Sequence, residues 1–301
     1  MILNFKALVQ EARKKQGIVV GVPSPEDTTS IKTVLNARNE GIADFILAGN
    51  KSKTIELIQA NGGQVSDFEI IHCESEAESA AKIVELANHG RVRVILKGFL
   101  PTASLMKPVL DKETGLRTGN LLSDLMVVEN PADNYAGLLG ITDGGLNILP
   151  DANQKKQIIE NAVTVYHRLG YETPRVGVMA AVETVKDSMP ATLDAKILTE
   201  LNRDGVITGC EVYGPLALDI AVSPEAARHK GVTHPVAGMV QIMVVPNIES
   251  GNLLGKAFTY YLKSTVAHVV MGARIPILIP SRNESEVDKL HSVALGVISA
   301  S

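Results

Sequence analysis

The stretch RIPILIPSRNESEVDKLHS, Arg274 to Ser292, decides how this chain is read. Ile275, Ile277, Leu278 and Ile279 form a short apolar run, interrupted by Pro276 and ended by Pro280, that reads as a buried strand. Ser281 and Arg282 fall in the turn that follows, and Asn283 to Ser285 can start a helix. Val287, Leu290, Ala294 and Val297 then recur at helical spacing, which gives that helix one buried face. A strand end that feeds a helix N-terminus is where open α/β sheets bind anions, because free N–H groups and the helix dipole point outward there. A hydroxyl, Ser281, and a guanidinium, Arg282, stand at that point, and a carboxylate, Asp288, follows about two turns later. Plainer roles compete for each. Ser281 and Glu284 match a capping box, Arg282 can be a solvated charge, and Asp288 can simply answer a positive helix end.

Working outward, the first half of the chain alternates helices and strands. A helix to about Lys15 precedes a strand from Gly17 to Val22. Pro25 to Gly41 reads as a helix opened by Ser24 or Asp27, and Asp44 to Ala48 as the next strand. Helix Lys51–Asn61, strand Glu69–His72, helix Ser75–His89 and strand Arg91–Leu96 follow. After a middle region rich in turn signals the rhythm resumes. Strand Leu138–Thr142, helix Asp151–Leu169, strand Val176–Ala181 and helix Thr192–Arg203 come first. Strands Val206–Val212 and Met239–Val245 and helix Asn252–Leu262 complete the series. This alternation predicts an α/β fold whose parallel sheet is covered on both faces.

With 301 residues the chain is long enough for two domains. Aromatic residues make up 4% and tryptophan is absent, which argues against stacking platforms for single-stranded nucleic acid. A formal net charge of −4 gives no basic footprint for nucleic acid, so an anionic ligand needs a local cluster of Arg and Lys. Cys73 and Cys210 offer no disulfide framework, which fits a reducing cytoplasm. No apolar run reaches the roughly 18 residues of a membrane span.

Four strand-to-helix turns carry polar groups suited to a ligand. They are Lys97 to Thr102, Gly115 to Gly119 with Arg117 between two glycines, Pro246 to Asn252, and the Ser281 turn. Glycine lets a ligand approach the backbone, and arginine offers a bidentate fork for phosphate. Several other chemistries are excluded. No G-x-G-x-x-G follows the first strand, and GNLLGK (Gly251–Lys256) is one residue short of a phosphate-binding P-loop. The histidines lack zinc-site spacing, and no G-x-S-x-G elbow occurs. His72 and Cys73 are neighbours on a strand and point to opposite faces, which argues against a nucleophilic pair.

The segments KGFLPTASLMKPVLDKETGLRTG (Lys97–Gly119), ITDGGLNILPD (Ile141–Asp151), GCEVYGPLALDIAVSPEAA (Gly209–Ala227), PVAGMVQIMVVPNIESGNLLGKAF (Pro235–Phe258) and IPILIPSR (Ile275–Arg282) run in order. In them the chain resembles the phosphate acetyl/butyryltransferases, and the butyryltransferase branch most. The resemblance implies two three-layer α/β/α domains of the isocitrate/isopropylmalate dehydrogenase kind with the active site in the cleft between them. The expected division is residues 1–137 with 284–301, and residues 138–283 as an insert. It also implies interconversion of a short-chain acyl-CoA and phosphate with acyl phosphate and CoA, by direct attack of the CoA thiolate in a ternary complex. Coenzyme A is then a substrate, and no bound cofactor or metal, nucleic acid or membrane is involved. A homodimer or higher homo-oligomer in the cytoplasm is expected. Ser281, Arg282 and Asp288 match the family's catalytic positions. Arg117, Lys97, Thr102, Asn247, Glu249, Gly251 and Asn252 are the expected substrate contacts. Two positions depart from the pattern: Asp124 follows Ser123 where Ser-His is expected, and Gly255 replaces a larger residue, which leaves room for a longer acyl chain. The competing readings are a phosphate acetyltransferase, a metal-dependent decarboxylating dehydrogenase of the same fold, and a non-catalytic binder of CoA or acyl phosphate.

Overall fold

The computed structural model describes residues 1–132, 134–281 and 284–301. The chain begins with α1 (Phe5–Arg13), β1 (Val19–Pro23), α2 (Thr28–Asn39), β2 (Asp44–Gly49), α3 (Lys51–Ala60), β3 (Glu69–His72), α4 (Glu76–Asn88), β4 (Val94–Leu96) and α5 (Thr102–Val109). Next come β5 (Ser123–Glu129), β6 (Leu138–Thr142), α6 (Ala152–Arg168), β7 (Arg175–Met179), α7 (Pro190–Arg203), β8 (Glu211–Leu216), α8 (Leu218–Val222) and α9 (Pro224–His229). The last elements are β9 (Ile242–Val244), α10 (Ile248–Tyr260), β10 (Val266–Met271), β11 (Ile277–Leu278) and α11 (Glu286–Ser299). Among the described residues no helix is long and apolar enough to cross a membrane.

Two compact units result. One comprises Lys6–Asn120 with Ala267–Ser301, the other Met1–Phe5 with Leu121–Val266. The divisions thus fall at 5/6, 120/121 and 266/267, where the sequence reading places them at 137/138 and 283/284. The reason is strand pairing. β5 joins β6 in the second unit, while β11 pairs with β4 in the first and carries its residues there.

In the first unit the strand order is β3-β2-β1-β4-β11-β10. The strands from β3 to β11 are parallel, and β10 pairs antiparallel with β11. The predicted all-parallel pattern gives way here because the link from Met271 to Ile277 is too short for a crossover. Val20, Val22, Leu47, Val94 and Ile95 are fully buried, as strands covered on both faces require. α2, α3 and α11 pack together, as do α4 and α5. Asp27 caps α2 and Ser75 caps α4 through their side-chain oxygens, so both helices begin where a polar side chain can satisfy free N–H groups.

In the second unit the order is β5-β6-β9-β7-β8, antiparallel only between β5 and β6. One face of this unit holds a cluster including Met126, Leu139, Ile141, Ile220, Val236, Met243 and Phe258. Asp151 and Gln154 form a reciprocal capping box at the start of α6. The predicted strand Val206–Val212 is displaced, since β8 starts at Glu211. Val206 and Ile207 instead donate their N–H groups to the Leu201 carbonyl at the end of α7, and Gly205 takes φ +75° to turn the chain there.

Candidate active site

In the first unit β1, β2 and β3 are laid down in one direction and β4 on the opposite side of β1. Chain order therefore reverses between β1 and β4, and the carboxyl ends of strands at such a reversal leave a crevice. A cavity of about 200 Å³ lies there. It is lined by the head of α2 (Asp27, Thr29, Ser30, Thr33), the exit of β4 (Leu96 to Leu100), Pro280 and Ser281 beyond β11, and Lys289 of α11. Gly98 makes this geometry possible. A Cβ there would strike the Pro23 and Ser24 carbonyls, while its N–H and that of Phe99 bond to those same carbonyls at 3.2 and 2.6 Å. The exits of β4 and β1 are thereby clasped together.

Of the residues expected from the sequence, Lys97 and Ser281 meet in this cavity. Lys97 is half-buried, and its Nζ donates to the Gly98 and Leu100 carbonyls at 3.2 and 3.1 Å, which holds the ammonium at the crevice. Ser281 is exposed and its N–H donates to Glu284 Oε1 at 2.8 Å. Ser281 and Glu284 do touch, but they do not cap the helix. α11 starts one turn later, with Ser285 as N-cap and Asp288 completing the box. Arg282 lies outside the described residues.

Asp288 occupies the first turn of α11, where Oδ2 accepts from Ser285 N at 3.0 Å and from Ser285 Oγ at 2.6 Å. Thr102 is exposed in the first turn of α5, and neither it nor Arg117 lines the cavity. Arg117 is exposed, and its backbone bridges to Ala273. The neighbouring Arg274 holds that turn instead, through the Gly115 carbonyl and, at 2.5 Å, Asn88 Oδ1.

In the second unit the Pro246–Asn252 segment is mostly helix. α10 begins at Ile248, four residues before the predicted start, because Asn247 caps it by accepting from Ser250 N at 2.9 Å. Glu249 and Asn252 are exposed in its first turns, and Asn252 Nδ2 lies 3.4 Å from the Gly144 carbonyl. Gly251 is buried, and the backbone it lets approach is the chain's own. A Cβ there would lie 2.7 Å from Gly144 Cα. Gly255 likewise does not leave open room, since a Cβ would meet Met126 Sδ at 2.8 Å.

Beside this helix start sits Asp143, which the sequence reading did not single out. It is buried, and four donors converge on its carboxylate: Gly145 N (2.8 Å), Leu146 N (2.9 Å), Asn147 Nδ2 (2.6 Å) and Asp124 N (3.2 Å). Burial, and next the charge of Asp124, nevertheless hold its pKa above the ordinary carboxylate value. An Asp that opens an Asp-Gly-Gly turn is the signal for this, because its side chain bonds the N–H groups ahead of it. Lys289 is the second residue missed. The predicted helix face starts at Val287, but Val287 is 49% exposed and Lys289 5%. The signal was spacing, since Lys289 stands four and eight residues before the buried Val293 and Val297. Cys73 is buried and burial raises its thiol pKa, so its surroundings do not activate it.

A family model described as "Phosphate acetyl/butaryl transferase" matches residues 78–297. The chain is 39% identical over 300 residues to the phosphate butyryltransferase of Clostridium acetobutylicum, covering 100% of this chain and 99% of that one. It is 37% identical to the phosphate acetyltransferase of Thermotoga maritima, covering 98% and 99%. Among solved structures it is similar to a branched-chain phosphotransacylase from Enterococcus faecalis, with TM-score 0.84, 29% identity, and 94% and 99% of the two chains covered.

Proposed function

The chain belongs to the phosphate acetyl/butaryl transferase family, and we propose that it moves a short acyl group between the thiol of CoA and phosphate. In the direction of acyl-CoA synthesis the thiolate sulfur attacks the carbonyl carbon of the acyl phosphate. The C–S bond forms, the C–O bond to phosphate breaks, and phosphate departs. A CoA thiol, with an ordinary pKa of about 8.5, is mostly protonated at neutral pH, so a base must take its proton. Asp288 is that base. Ser281 donates a hydrogen bond to the charge that develops on the carbonyl oxygen, and Arg282 binds the phosphate and stabilises the same charge. Lys97 and Arg117 are substrate contacts, as are Thr102, Asn247, Glu249 and Asn252, while Gly251 serves the packing of the chain against Gly144.

The observation that carries this reading is the meeting of Ser281 and Lys97 in one cavity at the switch point of the first unit's sheet. Butyryl is the favoured acyl group, supported by the name of the 39% identical relative, and acetyl is the alternative, supported by the name of the 37% identical one. The test supplies acyl-CoA and phosphate and follows thiol release, with and without EDTA. Phosphate-dependent thiol release is the expected result. Failure to release thiol from any short acyl-CoA would overturn the reading.

A further inference from the structure

Among the described residues three Asp, Glu, Lys or Arg side chains are almost fully buried: Asp143, Lys155 and Lys289. The first two are compensated. Asp143 takes its four hydrogen bonds, and Lys155 Nζ sits 2.6 Å from Asp194 Oδ2. Lys289, only 5% exposed, has no ion pair and no side-chain hydrogen bond among the described residues. Lysines are almost never enclosed to this degree without a pairing group. The side chain lines the 200 Å³ cavity, so a counter-charge can reach it from there.

The remaining walls suit an anion. Lys97 adds a second ammonium, and Ser281 and Thr29 add hydroxyls. α2 is a 12-residue helix and turns its amino end to the same space. The one carboxylate in the lining, Asp27, is engaged by that helix. It accepts Thr29 N and Ser30 N at 2.9 and 3.0 Å and also the Ser30 hydroxyl. The volume is below the roughly 300–1,000 Å³ of sites that enclose drug-sized ligands. It fits a phosphoryl-sized group and not a whole coenzyme.

We infer that Lys289 is a substrate-binding residue whose ammonium neutralises a phosphoryl group seated in this cavity. The inference rests on the transacylase reading for the identity of the ligand, which is either the acyl-accepting phosphate or a phosphate of CoA. A charged hydrogen bond of this kind corresponds to about ten- to hundredfold in affinity.

The test compares wild type with Lys289→Met, which keeps length and apolar bulk, and Lys289→Arg, which keeps the charge. Thermal unfolding is followed against inorganic phosphate and, separately, against CoA, and steady-state KM values are measured for both. Lys289→Met is expected to keep the ligand-free Tm of wild type, because the ammonium makes no ion pair or hydrogen bond that the substitution would remove and the apolar bulk is retained. It should lose the ligand-induced rise in Tm, and one KM should rise about ten- to hundredfold, with Lys289→Arg in between. A phosphate-specific loss identifies the accepting phosphate, and a CoA-specific loss identifies the coenzyme. Unchanged KM values and an unchanged ligand-induced rise in Lys289→Met overturn the inference. So does a ligand-free Tm well below wild type, which marks a packing role, or the absence of any ligand-induced rise in wild type. A wild type that is stabilised by phosphate but turns over no acyl-CoA refutes the transacylase reading alone.

Discussion

Ser285 and Asp288 hold one another at the head of α11, with Ser285 N and Oγ donating to Asp288 Oδ2 at 3.0 and 2.6 Å and Asp288 N donating back to Ser285 Oγ at 3.1 Å. The carboxylate proposed as the general base is therefore also half of a capping box. The two roles separate by mutation. Asp288→Asn keeps an acceptor for the cap and removes the basicity, so kcat should fall about 10²–10⁴-fold with little change in stability. Its rate should recover as pH rises through the thiol's own pKa of about 8.5, where the thiolate forms unaided. Ser285→Ala should instead cost about 0.5–2 kcal/mol of stability and leave most of the turnover. An Asn variant with near wild-type kcat at neutral pH removes Asp288 as the base.

Gly251 and Gly255 both lie inside α10, yet substitution should divide them. A methyl at Gly251 meets fixed backbone, Gly144 Cα at 2.7 Å and the Asp143 carbonyl oxygen at 3.0 Å. Overpacking of this sort costs about 1–3 kcal/mol, which exceeds the helix-propensity gain of up to about 1 kcal/mol. A methyl at Gly255 meets only the thioether of Met126, at 2.8 Å, and methionine adapts readily. Urea midpoints should show Gly251→Ala destabilised and Gly255→Ala near wild type. Equal midpoints would mean that the Gly144 contact is not rigid.

Asp143 gives stability a pH dependence. Its folded-state pKa lies above the ordinary 3.8, through burial first and the Asp124 charge second. The folded protein thus holds this proton more tightly than the unfolded chain does. The associated stabilisation is complete below the unfolded value and is lost as pH rises through the folded one. Asp124→Asn removes the like charge, so less should be lost. In urea unfolding from about pH 4 to pH 7 the variant should gain stability relative to wild type as pH rises. A flat difference, or one of opposite sign, would mean that the two carboxylates are not coupled.

Acyl length is tested by kcat/KM for butyryl-CoA against acetyl-CoA. One methylene in an apolar pocket is worth about 1–3 kcal/mol, so a pocket shaped for butyryl should favour it about tenfold or more. The preference cannot be attributed to space at Gly255, which Met126 fills. A ratio near one, or one favouring acetyl, places the enzyme with the acetyltransferases and leaves the reaction class intact.

The sequence by itself determined what local periodicity and capping determine. Asp27, Ser75 and Asp151 mark helix starts because a short polar side chain beside an apolar stripe has one favourable local use. Glu69–His72 and Leu138–Thr142 are strands to the residue, and the turn at Ser281 was legible as a strand end before a helix. Tertiary structure decided which ends meet. Strand order placed the exits of β1, β4 and β11 around one cavity, and pairing across more than 180 residues of chain, as between Ile95 and Ile277, leaves no periodic trace in either segment. It also decided what each polar group does once buried. Gly251 resembles a helix breaker until Gly144 lies against it, and Asp143 resembles a turn residue until four donors close on it. Lys289 is an ordinary helical lysine in sequence. Only the packing of α11 against its neighbours encloses this side chain against the cavity, because burial depends on everything that surrounds a side chain and not on the residues next to it in the chain.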